Sequence, residues 1–283
     1  MFRFTLSSVV LLIVNFTLYG CANGPGSQLF RPAQPDTPST DSQGLSDFDR
    51  SLPSRLGQKP KQNVSDSRIL GHSVQGRGLE LIRFGTGQTH TLVIGSVHGD
   101  EPEGIELSDR LIRYLRNNPD TLRRHTVYIM RDGNPDGHIA RSRTNARGVD
   151  LNRNFPSGNW KKTTKNGNNP SGIKPASEPE TRTILDMIHQ LRPDRIIAIH
   201  STRGNPMVNY DGPALKLARR MSQFNGYQVS DYIGYPTPGS LGTYLGHDGQ
   251  IPIITLELPR GIPPQKAWQE NRNALLEGIL FDG

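Results

Sequence analysis

The 283-residue chain holds one cysteine, Cys21. A single cysteine excludes an intrachain disulfide and a thiolate-rich metal site, so any metal must be held by histidine and carboxylate. Long hydrophobic runs are also missing. The apolar stretch Val9-Val10-Leu11-Leu12-Ile13-Val14 is interrupted by Asn15 and falls short of the roughly 20 residues that span a bilayer. Gly 30 and Pro 22 together stay below the roughly 25–30% of a low-complexity chain, so the bulk can fold around a core. An excess of acid is absent too: Lys+Arg 33 against Asp+Glu 26 leaves a net charge of +7. That balance favours anionic partners without pointing to nucleic acid in particular.

At the start of the chain, basic Arg3, the short apolar stretch and the small Gly20 before Cys21 read as a secretory signal over residues 1–20, with a transmembrane anchor the weaker reading. Leu18-Tyr19-Gly20-Cys21 resembles the bacterial lipobox, whose cysteine is acylated and becomes the first residue of the mature lipoprotein. That resemblance implies that Cys21 is the lipid attachment point. The expectation is then an exported bacterial lipoprotein, anchored to a membrane and facing the periplasm or the cell exterior. The alternative is an ordinary signal followed by an incidental buried cysteine. Beyond it, Pro25, Pro32, Pro35, Pro38, Pro53 and Pro60 are interleaved with Gly, Ser, Gln and Asp, a composition that gives a flexible tether. The expected organisation is a signal over 1–20, a tether over 21–67 and one folded catalytic unit over 68–283. The oligomeric state is left open by the sequence.

Within that unit short apolar runs alternate with helical spacing. Leu92-Val93-Ile94, Val127-Tyr128-Ile129-Met130, Ile196-Ile197-Ala198-Ile199 and Ile251-Pro252-Ile253-Ile254-Thr255-Leu256 read as largely buried strands. Ile105, Leu111, Ile112 and Leu115 follow Pro102 as one helix, and further helices are expected over 214–224 and 267–280. Ser177 and Glu180 form an S-x-x-E pattern ahead of Ile184, Leu185, Ile188 and Leu191, which predicts a capping box. The alternation predicts an α/β fold: a central, mixed but mostly parallel twisted sheet flanked by helices. In such sheets functional sites gather at the carboxyl ends of the strands.

His98-Gly99-Asp100-Glu101 lies at such an end, between a strand and a helix expected to start at Pro102. An imidazole and a carboxylate three residues apart on that turn can converge on one point, and both suit Zn²⁺. Alone, H-x-x-E is a weak signal, and Pro102 stands where an H-x-x-E-H motif would need its second histidine. A third ligand must come from elsewhere. His200 ends the run Ile196–Ile199 and so reaches the same edge, although a lone histidine there is more often structural. Its company decides: Asn134-Pro135-Asp136-Gly137, Arg143-Thr144-Asn145, the stretch from Gly148-Val149-Asp150-Leu151 through Asn152-Arg153-Asn154-Phe155-Pro156, and Thr255-Leu256-Glu257-Leu258.

Taken in this order, the segments resemble the zinc carboxypeptidase superfamily, the one that includes carboxypeptidase A, over nearly the whole folded unit. The resemblance implies that His98, Glu101 and His200 hold one zinc ion per chain. It implies that Glu257 is the general base and acid, that Arg143 polarises the scissile carbonyl, and that Asn152 and Arg153 grip a substrate carboxylate. Asp150 would accept the free ring N–H of His98, and a carboxylate behind a ligating imidazole fixes its tautomer and strengthens it as a ligand. The family also carries a mobile tyrosine upstream of the glutamate, for which Tyr235 is the choice and Tyr244 the rival.

The residue types support the same chemistry. Three protein ligands leave a fourth position for a water acidified by zinc to a pKa of about 7. Glu257 could take its proton and later hand one to the leaving amine. Arg143 would share the oxyanion's charge with the metal, and the planar fork of Arg153 suits a carboxylate better than lysine would.

Asn209-Tyr210-Asp211-Gly212-Pro213-Ala214 and the segment from Gly234-Tyr235-Pro236 to Leu241-Gly242-Thr243-Tyr244 look like the bacterial murein peptide amidase A branch. What that branch implies is hydrolysis of the γ-D-glutamyl bond to meso-diaminopimelate in cell-wall peptides, so the expected substrate is an anionic, murein-derived peptide and nucleic acid is not needed as a partner. The alternative is a general exported metallocarboxypeptidase that removes C-terminal residues; a catalytically inactive wall-binding lipoprotein and an acylamino-acid deacylase of the aspartoacylase type are minor ones. Ser240, Leu241, Thr243, His247 and Asp248 are expected to line the specificity pocket. As a set they carry no dominant charge, which argues against a strict preference for basic or acidic terminal residues.

Overall fold

Parallel strands covered on both faces read as continuous apolar runs, and the four runs picked out above become four adjacent strands at the centre of one sheet. The structure, a computed structural model, describes residues 66–163 and 170–283. Cys21, the expected signal and all but the last two residues of the expected tether lie outside the described residues.

In chain order the strands are β1 (Asp66–His72), β2 (Gly78–Phe84), β3 (Thr89–Ile94), β4 (His125–Met130), β5 (Arg195–Thr202), β6 (Met207–Asp211), β7 (Gln228–Ser230) and β8 (Ile253–Pro259). The helices are α1 (Pro102–Asn117), α2 (Pro135–Ala140), α3 (Pro179–Leu191), α4 (Leu215–Asn225) and α5 (Pro264–Ile279). Their sheet runs β1-β2-β4-β3-β5-β8-β6-β7. The block β4-β3-β5-β8 is parallel throughout. On one side β2 and β1 join it antiparallel; on the other β6 runs antiparallel to β8 and parallel to β7. The expected mixed, mostly parallel α/β fold is therefore present.

Alternation along each strand divides the side chains between two cores. Val93, Ile197, Ile199, Ile254 and Leu256 pack with Leu111 of α1, Met221 of α4 and Leu275 of α5. Leu92, Ile94, Ile196, Ala198 and Ile253 face the other way, against Ile184 and Ile188 of α3, Leu241 and Leu245. Ile196, Ile197 and Ile199 are at most 1% exposed, and burial of each contributes ~1.5–3 kcal/mol. Strands anchored so firmly hold the residues at their carboxyl ends in fixed places.

Three expectations are corrected. The capping box of Ser177 and Glu180 does not form: α3 has Glu178 at its N-cap, with no side-chain cap. Pro179 suits the first helical position and moves the start one residue on. Ser177 Oγ instead donates to Glu178 Oε1 at 2.7 Å, and Glu180 accepts from Val74 N at 3.0 Å and Asn145 Nδ2 at 3.1 Å. The strand read from Ile251 begins at Ile253, because Pro252 has no N–H for the ladder; its carbonyl accepts from Ile196 N at 2.9 Å. Finally, β1 starts at Asp66, two residues ahead of the expected boundary. Its sequence DSRILGH is mostly exposed and offers no apolar run to read.

Candidate active site

The turn after β3 is shaped by the Asn134-Pro135-Asp136-Gly137 segment. Asn134 accepts from Gly137 N at 3.0 Å and donates to Val97 O at 3.2 Å and Arg143 O at 3.4 Å, tying three loops together. Gly99 lies so close to Gly137 that an added Cβ would sit 1.9 Å from its carbonyl carbon, so no other residue fits there. The tight turn brings His98 round to Glu101, which occupies the N-cap of α1 without capping it and so keeps its carboxylate for other partners.

Those partners converge. Glu101 Oε1 is 2.9 Å from His98 Nδ1, Glu101 Oε2 is 3.0 Å from His200 Nδ1, and the two Nδ1 atoms are 3.1 Å apart. All three residues are buried, at 2–4% exposure. On its far side His98 Nε2 lies 3.0 Å from Asp150 Oδ1, a contact in which an ionised carboxylate can only accept. The ring proton therefore belongs on Nε2, and the Nδ1 lone pair points into the cluster. Two imidazole nitrogens and a carboxylate this close together can share one cation. Tetrahedral zinc bonds of about 2.0–2.1 Å place ligand atoms roughly 3.4 Å apart, so the donor set and its spacing fit the ion. Without the ion a proton takes its place: burial lowers His98, yet Glu101 and Asp150 outweigh it and lift the imidazole to about 9, and a bound cation displaces that proton. Burial likewise raises Glu101, but the His98 and His200 rings carry it well below the usual carboxylate range.

Asp150, fully buried, organises the next layer. Besides His98 it accepts from Asn152 N at 3.0 Å and from Arg143 Nε at 2.9 Å. Arg143 Nη1 also reaches Glu101 Oε1 at 3.3 Å, and the guanidinium borders a cleft of about 480 Å³ in front of the cluster. Asn152 lines the same cleft with its Oδ1 held by Leu241 N at 2.9 Å, which leaves the amide NH₂ as its free end. Arg153 donates to Asn152 O at 2.7 Å and lies 6.0 Å from the Tyr235 ring centroid. Tyr235 is half exposed at the cleft. Tyr244 lies elsewhere: its hydroxyl is 3.2 Å from His189 Nε2 of α3. Glu257 completes the group. It borders the cleft and has no hydrogen-bonding partner among the described residues, and burial raises its carboxyl above the ordinary value.

Ser240, Leu241, Thr243, His247 and Asp248 all line the cleft, joined by residues that the sequence reading missed: Asn209, Asp211, Asp231, Tyr232 and Thr255. Asp211 and Asp231 add carboxylates to that of Asp248 in the lining, and the charge of Asp231 helps raise Asp211. Asp248 is partly engaged, accepting from Gly158 N at 2.8 Å. Asp211 sits 2.9 Å from His247 Nε2, and burial raises its carboxyl. Two glycines make room for it: a Cβ on Gly242 would lie 2.2 Å from Asp211 Oδ2, and one on Gly246 2.4 Å from Asp211 Cβ. The Asn209-Tyr210-Asp211-Gly212 segment and the two glycines spaced four apart were the available signals.

Residues 55–261 match the family model described as zinc carboxypeptidase. Murein peptide amidase A of Escherichia coli K12 is 34% identical over 180 residues, which is 59% of this chain and 70% of that protein. Murein peptide amidase A of Vibrio campbellii is 33% identical over 183 residues, covering 59% and 68%. Among solved structures, murein-tripeptide amidase from Escherichia coli O157 superposes with a TM-score of 0.63 at 28% identity, over 78% of this chain and 94% of that one. Carboxypeptidase A from Helicoverpa armigera gives a TM-score of 0.66 at 21% identity, over 78% and 70%, a likeness of fold alone.

Proposed function

The chain belongs to the zinc carboxypeptidase family and is a zinc metallopeptidase; from that premise we propose that it hydrolyses the γ-D-glutamyl-meso-diaminopimelate bond of murein peptides. The proposal includes the exported lipoprotein, anchored through Cys21, that was expected from the sequence, so that its substrate is met outside the cytoplasm.

His98, Glu101 and His200 are the residues that would hold zinc. When bound, the ion supplies Lewis acidity for the scissile carbonyl and lowers the pKa of water. Glu257, whose carboxyl is raised by burial, takes the proton of the attacking water and returns one to the leaving amine. Arg143, fixed by Asp150 and Glu101, donates to the oxygen on which negative charge develops. Asp150 keeps His98 and Arg143 in register. Asn152 and Arg153 receive the terminal carboxylate, and Tyr235 closes beside them.

The observation that carries the substrate is the pairing of opposite charges within one cleft. Arg153 lines it, and so do Asp211, Asp231 and Asp248 with His247. Diaminopimelate, the leaving residue, presents a carboxylate at its reacting centre and, at its far end, a second centre bearing an ammonium and a carboxylate. The first carboxylate suits Asn152 and Arg153; the distant ammonium suits the Asp211 and Asp231 carboxylates. The similarity to murein peptide amidases favours the same substrate. The test is incubation of the zinc-loaded protein with L-Ala-γ-D-Glu-meso-diaminopimelate and with a panel of α-linked peptides. Release of diaminopimelate is the expected result, and cleavage confined to the α-linked panel would establish a general metallocarboxypeptidase instead.

A further inference from the structure

Arg260 lies three residues beyond Glu257, just past the end of β8, and does not line the cleft. Its backbone N–H donates to Thr202 O at 2.8 Å, extending the pairing of β8 with β5. The side chain then turns back under the metal cluster. Nη2 is 2.6 Å from Asp100 Oδ2, Nη1 donates to Ser201 Oγ at 3.2 Å, and Nη1 is 3.8 Å from Glu101 Oε1. Ser201 in turn donates its N–H to Glu101 Oε2 at 3.1 Å and its hydroxyl to Glu103 Oε2 at 2.8 Å. Glu103 Oε1 accepts from Gly261 N at 2.6 Å, which closes the ring.

Each segment in that ring carries a residue of the active site. The turn 98–101 carries His98 and Glu101, the end of β5 carries His200 beside Ser201, and the end of β8 carries Glu257. One guanidinium therefore bonds the turn and β5 from its seat on β8. Its tie to Asp100 has no substitute: Asp100 Oδ1 is shielded from solvent and has no partner, so Arg260 is the one hydrogen-bond donor to that carboxylate among the described residues. A planar fork serves Asp100 and Ser201 with donors fixed relative to one another, whereas the donors of a lysine ammonium rotate at the end of a flexible stem.

We propose that Arg260 is a positioning residue for zinc, holding the Asp100-Glu101 turn against the ends of β5 and β8 so that Glu101 is presented to the ion together with His98 and His200. The proposal rests on the reading of those three residues as ligands.

The test measures the zinc dissociation constant of the metal-free protein by competition with a chromophoric chelator. Loss of a partner that orients a ligand weakens metal binding roughly 10- to 100-fold, and that is the result expected for Arg260→Ala. Arg260→Lys should recover part of the affinity, and Asp100→Asn, which keeps the shape but removes the charge Arg260 holds, should weaken binding in the same direction. Arg220→Ala is the control: Arg220 pairs with Glu277 at 2.7 Å between α4 and α5, and its loss should leave zinc affinity unchanged. If Arg260→Ala does not fold, Asp100→Asn decides alone. Zinc affinity within twofold of the parent in every folded variant of Arg260 and Asp100, while His200→Ala loses zinc, overturns the positioning role and leaves the ligands standing. Full zinc retention by His200→Ala overturns the ligand reading and this proposal with it.

Discussion

His200 on β5 and Glu257 on β8 are register partners on adjacent parallel strands. Strand alternation turns both away from the core of Ile199, Leu256 and Leu258, so a proposed metal ligand and a proposed proton carrier stand side by side on one face, about 4.8 Å apart along the hydrogen-bonding direction. The two play different parts, and replacement of each should fail differently.

Glu257→Gln keeps the shape and removes the base. Turnover should fall by roughly 10²–10⁴-fold, while zinc content by elemental analysis stays at one ion per chain. Activity within tenfold of the parent would remove Glu257 from the mechanism.

His200→Ala removes a ligand from a buried cluster whose other two members cannot enclose the ion. Zinc content after dialysis should fall well below one per chain, and activity should fall with it. Because the β5 isoleucines pack in the two cores and His200 in neither, the thermal midpoint of the metal-free protein should change little. A metal-free midpoint that drops sharply would mark His200 as structural.

The sequence already held the metal cluster, because its legibility depends on local events. A histidine and a glutamate three apart on a strand-to-helix turn, and a histidine closing an apolar strand, reach the same edge in any parallel sheet. Asp211 and Arg260 were not legible for the opposite reason. Asp211 belongs to the cleft because β6 pairs antiparallel with β8 and because Gly242 and Gly246, distant from it in the chain, leave space for it. Arg260 reads as an ordinary charge after a strand until its side chain is seen to fold back on Asp100. Ser177 shows that a local rule can also mislead, since Pro179 set the helix frame and buried Glu180 had partners on other segments.

Asp211→Asn tests whether a cleft carboxylate reads the substrate's ammonium. A hydrogen bond to a charged group contributes about 1.5–3 kcal/mol, so kcat/KM for the diaminopimelate peptide should fall roughly 10- to 150-fold. A peptide ending in an uncharged residue should be affected far less. Equal losses on both peptides would show that Asp211 shapes the pocket without reading the ammonium.

Asp136 gives a pH dependence distant from the metal. Burial raises its carboxyl, but hydrogen bonds from Ser73 Oγ at 2.7 Å, Arg77 Nη1 at 2.6 Å and Gln75 N at 2.9 Å outweigh it and leave the carboxyl below its ordinary value. With the folded pKa below the unfolded one of about 3.9, the stabilisation is complete above that unfolded value and is lost as pH falls through the folded one. Asp136→Asn should therefore lower the thermal midpoint at pH 7, and the gap to the parent should shrink as pH falls below the unfolded value of about 3.9, measured by circular dichroism on the metal-free proteins so that zinc loss does not intrude. A gap of constant size down to pH 3 would mean that these contacts hold Asp136 by shape alone, because a contribution from the ionised carboxylate must vanish when the carboxylate does.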